Sequence, residues 1–156
     1  MRHQLRVNGR EFHFEADASL LLIDAIREHC QLTGANQGCD TAQCGTCTVL
    51  IDGAAVKACN LLAAQVAADA SVTTIEGLAI GDVLHPMQVC FSTHHALQCG
   101  FCTPGMILRA VAMEAEGVAA DDRAVRHALA GNLCRCTGYE GIVAAVVDGL
   151  QQMRAR

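Results

Sequence analysis

The stretch Gly38-Cys39-Asp40-Thr41-Ala42-Gln43-Cys44-Gly45-Thr46-Cys47-Thr48-Val49 decides the reading of the first half of this chain. Three cysteines interleaved with glycines are followed by Cys59, which gives the spacing C-x4-C-x2-C-x11-C. Gly38 precedes the first cysteine and Gly45 follows the second. Without Cβ atoms, a loop can fold tightly at these points and take positive φ. Further along, Cys99, Cys102, Cys134 and Cys136 form a second group with the spacing C-x2-C-x31-C-x-C. Of the ten cysteines, only Cys30 and Cys90 stand outside these groups. Both lie on predicted helices and read as buried small hydrophobes.

The first spacing is that of a plant-type [2Fe–2S] centre, and each group supplies the four thiolates such a cluster needs. Backbone N–H groups aimed at the sulfurs stabilise negative charge and raise the reduction potential. The second group draws on helix starts. Cys99 and Cys102 precede a helix opening at Pro104, and Cys134 and Cys136 precede one opening near Tyr139. Free N–H groups and the positive end of the dipole favour thiolates there. Four thiolates also suit zinc, so the second group admits a zinc site. Cys99-Gly100-Phe101-Cys102 also has the form of a thioredoxin-like redox pair, but no βαβ pattern precedes it.

Neighbouring residues take plainer readings. His94 and His95 suit a helix surface or a partner contact, because four cysteines already complete the group. Arg135, between two candidate ligands, suits electrostatic tuning, a salt bridge or a partner contact. Gln98 and Thr103 suit loop hydrogen bonding and helix capping. Asp121 and Asp122 read as a helix cap. No P-loop, G-x-G-x-x-G fingerprint or Ser-His-Asp motif is present.

With 156 residues, the chain makes one ordinary domain or two small ones. Hydrophobic residues make up 52% and charged residues 17%, so a core can form. A net charge of -5 with no basic run argues against nucleic acid. No segment is long and apolar enough to span a membrane, and the start lacks a secretory pattern. A cytoplasmic location is expected, where grouped cysteines bind metal rather than pair. Aromatic residues are only 3%, which suggests that an organic substrate is handled on another chain.

Secondary-structure signals divide the chain near residues 76–82, giving expected domains 1–78 and 82–156. In the first, strands flank the turns Asn8-Gly9 and Asp52-Gly53, and a last strand is expected over 72–75. Ser19 is expected to cap a helix over 20–29. The result is an α+β unit. In the second, Leu84, Met87 and Phe91 share one stripe, Thr103 and Pro104 open a helix, Asp121 or Asp122 caps another, and residues 142–150 form the last. Four helices with short connections suggest a bundle.

The stretch 38–49, together with Thr73-Thr-Ile-Glu-Gly-Leu78, Gln98-Cys-Gly-Phe-Cys-Thr-Pro-Gly-Met106 and Gly131-Asn-Leu-Cys-Arg-Cys-Thr-Gly-Tyr139, resembles the small iron–sulfur subunit of the molybdenum hydroxylases, the xanthine oxidase family. The resemblance covers roughly residues 3–150. It implies a β-grasp ferredoxin domain followed by a four-helix bundle, with two [2Fe–2S] clusters. It also implies a large subunit with molybdopterin, a medium subunit with FAD, and a dimer of heterotrimers. The cluster of Cys99, Cys102, Cys134 and Cys136 would lie next to the pterin, with Gln98 and Cys136 as pterin contacts. The cluster of Cys39, Cys44, Cys47 and Cys59 would lie towards the flavin. Gly38-Cys39-Asp40-Thr41 looks like carbon monoxide dehydrogenase small subunits, although other branches share that aspartate. Aldehydes and N-heterocycles stand beside carbon monoxide as implied substrates. The implied role is electron transfer, with no catalytic residue on this chain. A freestanding two-cluster electron carrier and a zinc-stabilised scaffold are the alternatives.

Overall fold

The computed structural model describes residues 1–155; Arg156, the last residue of the expected second domain, lies outside the described residues. Strands β1 (Arg2–Val7) and β2 (Arg10–Glu15) pair antiparallel from Arg2↔Glu15 to Val7↔Arg10. Asn8 (φ 51°) and Gly9 (φ 75°) make the left-handed turn that suits the twist of such a hairpin. Asp52 (φ 49°) and Gly53 (φ 85°) do the same between β3 (Thr48–Ile51) and β4 (Ala54–Lys57). Strand β5 (Ser71–Thr73) enters between the hairpins, parallel to β1 and antiparallel to β3. The sheet order is therefore β2-β1-β5-β3-β4, the β-grasp arrangement of an α+β unit.

Strand β5 ends earlier than expected. Asn8 Oδ1 takes the Thr74 N–H at 2.9 Å, and Ile75–Gly77 turns as a short 3-10 helix. The helix of this unit also differs from its expectation. It begins as α1 (Leu22–Asp24) and continues as a π-helical turn, Ala25–His29. Ser19 does not cap it; its N–H and hydroxyl both donate to Asp17 Oδ1. The Leu22 N–H instead donates to Leu61 O at 2.7 Å, and Leu21 bridges Leu62. A passing backbone segment thus satisfies what a capping side chain would have satisfied. Leu5, Val7, Val49 and Val72 from the sheet share one buried core with Leu22, Ile23 and Ile26.

The second unit is all-helical: α2 (Pro86–Thr93), α3 (Thr103–Ala115), α4 (Asp122–Ala128) and α5 (Tyr139–Arg154). Met87, Phe91, Met106, Met113, Val125, Ile142, Val146 and Leu150 fill its core. Burying each such side chain contributes roughly 1.5–3 kcal/mol before entropy is charged. Asp121 caps α4, its Oδ1 accepting the Ala124 N–H at 2.9 Å. Leu84 falls before α2 and is 50% exposed, so it does not join the α2 stripe. Thr103 is not a cap either. It lies inside α3, behind Cys102 in the cap position, and its buried Oγ1 has no hydrogen-bond partner among the described residues.

The two units are packed together. Leu50 of β3 meets Leu108 and Ala112 of α3 in a small shared core. Asn8 Nδ2 donates to Thr74 Oγ1 at 2.8 Å, and Gly34 N–H donates to Glu76 Oε1 at 2.7 Å. These bonds hold the connection between the units against the first unit.

Candidate metal centres

The first four thiols lie where the loop before β3 meets the end of β4. Cys39 Sγ accepts the Cys44 N–H at 3.4 Å. That bond, followed by others from the Thr41 and Gln43 backbone, lowers the Cys39 thiol to about 6. Successive N–H groups turned towards one sulfur make an anion-binding nest. Cys44 Sγ lies 3.2 Å from Thr46 Oγ1, which also accepts the Gly38 N–H at 3.0 Å. Cys47 is buried, and Cys59 donates its N–H to the Cys47 sulfur at 3.4 Å. Burial first, and then its thiol neighbours Cys59 and Cys44, push the Cys47 thiol up to about 12.

Gly45 takes positive φ (+74°), as the loop requires. Gly38 does not, and its role is space: a Cβ there would lie 3.2 Å from Cys44 Sγ and 3.1 Å from Thr46 Oγ1. The other left-handed residue of the loop is Ala42 (φ 57°), an uncommon conformation for a residue with a Cβ. Lys57 Nζ donates to Ala42 O at 2.6 Å and ties that turn to β4.

The second four thiols gather at the starts of α3 and α5. Cys99 faces Cys136, and Cys102 faces Cys134. The Phe101 N–H donates to Cys99 Sγ and the Gly138 N–H to Cys134 Sγ, both at 3.5 Å. The Phe101 N–H, with Cys136 second, holds the exposed Cys99 thiol below its ordinary range. Burial, with Cys134 second, pushes Cys102 up to about 12. Thr137 sits in the left-handed region at φ 60° to turn the chain after Cys136.

The thiols therefore come in pairs, with Cys39 against Cys44, Cys47 against Cys59, Cys99 against Cys136 and Cys102 against Cys134. Two thiolates on each of two irons is the division that a [2Fe–2S] rhomb requires. Between the sets lies a cavity of about 460 Å³, lined by Cys44 on one side and Cys99, Cys102 and Cys134 on the other, with Phe101 and Leu133 at its rim.

Known proteins carry the same two modules. The 2Fe-2S iron-sulfur cluster binding domain matches residues 5–79, and the [2Fe-2S] binding domain matches residues 74–147. The nicotine 6-hydroxylase small subunit of Paenarthrobacter nicotinovorans is 46% identical over 149 residues, covering 96% of this chain and 89% of that one. The aldehyde oxidoreductase iron-sulfur-binding subunit of Escherichia coli (strain K12) is 39% identical over 168 residues, covering 97% and 72%.

This chain belongs to the small iron–sulfur subunits of the molybdenum hydroxylases.

Solved structures agree with this membership. Quinoline 2-oxidoreductase from Pseudomonas putida 86 superposes with a TM-score of 0.90 at 44% identity, covering 99% of this chain and 96% of that one. The aldehyde oxidoreductase from Desulfovibrio desulfuricans gives 0.91 at 44% identity, but there the iron–sulfur subunit corresponds to only 17% of a longer chain. The chain is thus an electron-transfer subunit of an oxidoreductase, and its relatives are subunits of multi-subunit dehydrogenase complexes. The matched [2Fe-2S] modules leave no place for the zinc reading of the second set. Among the described residues, no helix of this iron–sulfur subunit is long and apolar enough to cross a membrane.

Other residues of the iron–sulfur subunit lie where they bear on these thiols. Gln98 is exposed, and its Nε2 approaches Gly138, 3.5 Å from where a Cβ would stand. Cys136 is half-buried against Cys99. Arg135 is exposed at the cavity rim. His94 is paired with Asp148 at 2.8 Å, which ties α2 to α5. Cys30 and Cys90 are buried, and burial raises both thiols to about 11. Sequence reasoning passed over Thr46, Lys57, Asn36, Asn132 and Tyr139. Asn36 Nδ2 donates to Phe101 O at 2.8 Å and so joins the two thiol loops. Thr46, Asn132 and Tyr139 sit within the quoted motifs, so the signal was present; the bonds they make span the fold and have no local pattern.

Proposed function

We propose that this chain passes single electrons between two [2Fe–2S] clusters, one held by Cys39, Cys44, Cys47 and Cys59 and the other by Cys99, Cys102, Cys134 and Cys136. The observation that carries this reading is the direct backbone link between the two sets. The Leu133 N–H donates to Cys44 O at 2.7 Å, and Leu133 is bonded to Cys134. When bound, such clusters take up and release one electron each, connecting substrate oxidation on a large molybdopterin subunit to FAD on a medium subunit. The chain's own part is to hold thiolates, to aim N–H groups at them and to keep the sets adjacent. No side chain here is required to move a proton.

The division at residues 78–82 gives each set its own unit. The exposure of Cys99 favours the second set as the one facing the pterin, with Gln98 and Cys136 on that edge as contacts. A dimer of heterotrimers is the proposed assembly. The proposed location is the cytoplasm, where grouped cysteines hold metal rather than pair. The relatives' names, which include nicotine, caffeine, nicotinate and aldehyde, favour an N-heterocycle or an aldehyde as the substrate of the complex.

Iron analysis with low-temperature EPR of the reduced protein tests the reading. About four irons per chain and two distinct signals are expected. About two irons with a single signal would sink it. Purification by a tag on this chain is expected to bring a molybdenum-containing and a flavin-containing chain with it.

A further inference from the structure

Asn132 is 3% exposed, and its carboxamide lies where three backbone segments converge. Nδ2 reaches Gly45 O at 3.0 Å, Thr48 Oγ1 at 3.2 Å and Gly105 O at 3.4 Å. Gly45 and Thr48 adjoin Cys44 and Cys47, whereas Gly105 lies in the first turn of α3, just past Cys102. The approach is close enough to exclude side chains. A Cβ at Gly45 would come 2.7 Å from Asn132 Nδ2, and one at Gly105 would come 2.5 Å from Gly45 O. On the other side of the residue, Asn132 O accepts the Tyr139 hydroxyl at 3.2 Å, and the Tyr139 oxygen accepts the Cys134 N–H at 2.8 Å.

A buried polar side chain is ordinarily hydrogen-bonded, and around Asn132 two units offer acceptors. Asn132 is satisfied from both. Its two amide hydrogens serve three acceptors, and those acceptors flank candidate ligands of both thiol sets. A carboxylate of the same shape could not serve, because it would turn lone pairs towards three acceptors.

We propose that Asn132 is a positioning residue that sets the separation and relative orientation of the two clusters, with Tyr139 as the strut that carries this setting to Cys134. The proposal rests on the eight-cysteine reading above. It concerns the spacing of the centres, not their formation.

Two reduced [2Fe–2S] centres held close together split each other's EPR signals, and the splitting depends on their separation and orientation. The measurement is made on the assembled, cluster-loaded complex reduced with dithionite. Asn132→Ala is expected to retain iron content and the line positions of both signals while the splitting shifts. Leu150→Ala removes a fully buried side chain of the same unit near the end of α5. It is expected to lower the melting temperature and leave the splitting unchanged. An unchanged splitting in Asn132→Ala, or an equal shift in Leu150→Ala, overturns the proposal. If Asn132→Ala does not load clusters, Tyr139→Phe decides with the same readout: a shifted splitting supports the proposal, and an unchanged splitting or a lost signal overturns it. A wild-type complex with a single signal would overturn the eight-cysteine reading and this proposal with it. Two split signals that Asn132→Ala does not alter would overturn this proposal alone.

Discussion

The two thiol sets are presented by opposite means. The first is a loop that closes on itself: its sulfurs accept N–H groups from the same or the adjoining segment, and Lys57 pins its strained turn at Ala42. The second has no loop of comparable length. Its cysteines stand in pairs before α3 and α5, where unpaired N–H groups are available because no helical turn precedes them. Cys47 and Cys59 are buried in the first set, whereas Cys99 is exposed in the second. The difference shows two ways of keeping thiolates together. One stores the arrangement in local backbone conformation. The other borrows it from tertiary packing, since α3 and α5 must be correctly docked before Cys102 can face Cys134.

The comparison breaks most visibly if the sets are not independent. Cys44→Ser is expected to lower iron from about four to about two per chain and to remove one EPR signal while the other survives. Loss of both signals would mean that the second set cannot assemble without the first. Next in size is Gly45→Ala, which forces a Cβ into a left-handed position and against the Asn132 amide. A loss of about 3 kcal/mol is expected in chemical or thermal unfolding. A neutral result would show that the crossing between the sets is softer than its geometry implies.

Gly149→Ala tests the helical unit far from either set. Its Cβ would come 2.5 Å from Met87 Sδ, at the crossing of α2 and α5. The thioether is flexible, so a smaller loss of ~1 kcal/mol is expected, with both EPR signals intact. Weakened second-set signals would show how tightly that set depends on helix docking. The smallest effect concerns pH. The hydrogen bond from Arg109 holds the Glu116 carboxyl below its usual range. A carboxyl depressed in the folded state stabilises above its unfolded pKa of about 4.3, and that contribution is lost as pH falls through the lower folded value. Glu116→Gln is therefore expected to lower the melting temperature slightly at neutral pH, where that contribution is present, and to change little at acid pH, where it is already lost, so that the acid-side fall becomes flatter.

Much of this was legible from residues alone. Asn8-Gly9 and Asp52-Gly53 announced their hairpins because a left-handed two-residue turn leaves few other options. Asp121 announced its helix in the same local way. Of the expectations that failed, Ser19 failed because a distant segment intervened, and Thr103 and Leu84 failed because the helix starts fall a residue or two from where the pattern put them. Leu61 O took the role given to Ser19, and Leu84 was left outside a helix that starts at Pro86.

What the sequence by itself determined is the membership of each cysteine in its group, the α+β unit followed by helices, and the family. Those follow from spacing and periodicity, which are local and survive in a single string of residues. Only the tertiary structure decided which thiol faces which, that Cys44 O meets the Leu133 N–H, and that Asn132 lies between the two sets. Hydrogen bonds between residues some 87 positions apart depend on how two units dock, and docking is settled by the summed packing of both cores rather than by any stretch that can be read alone.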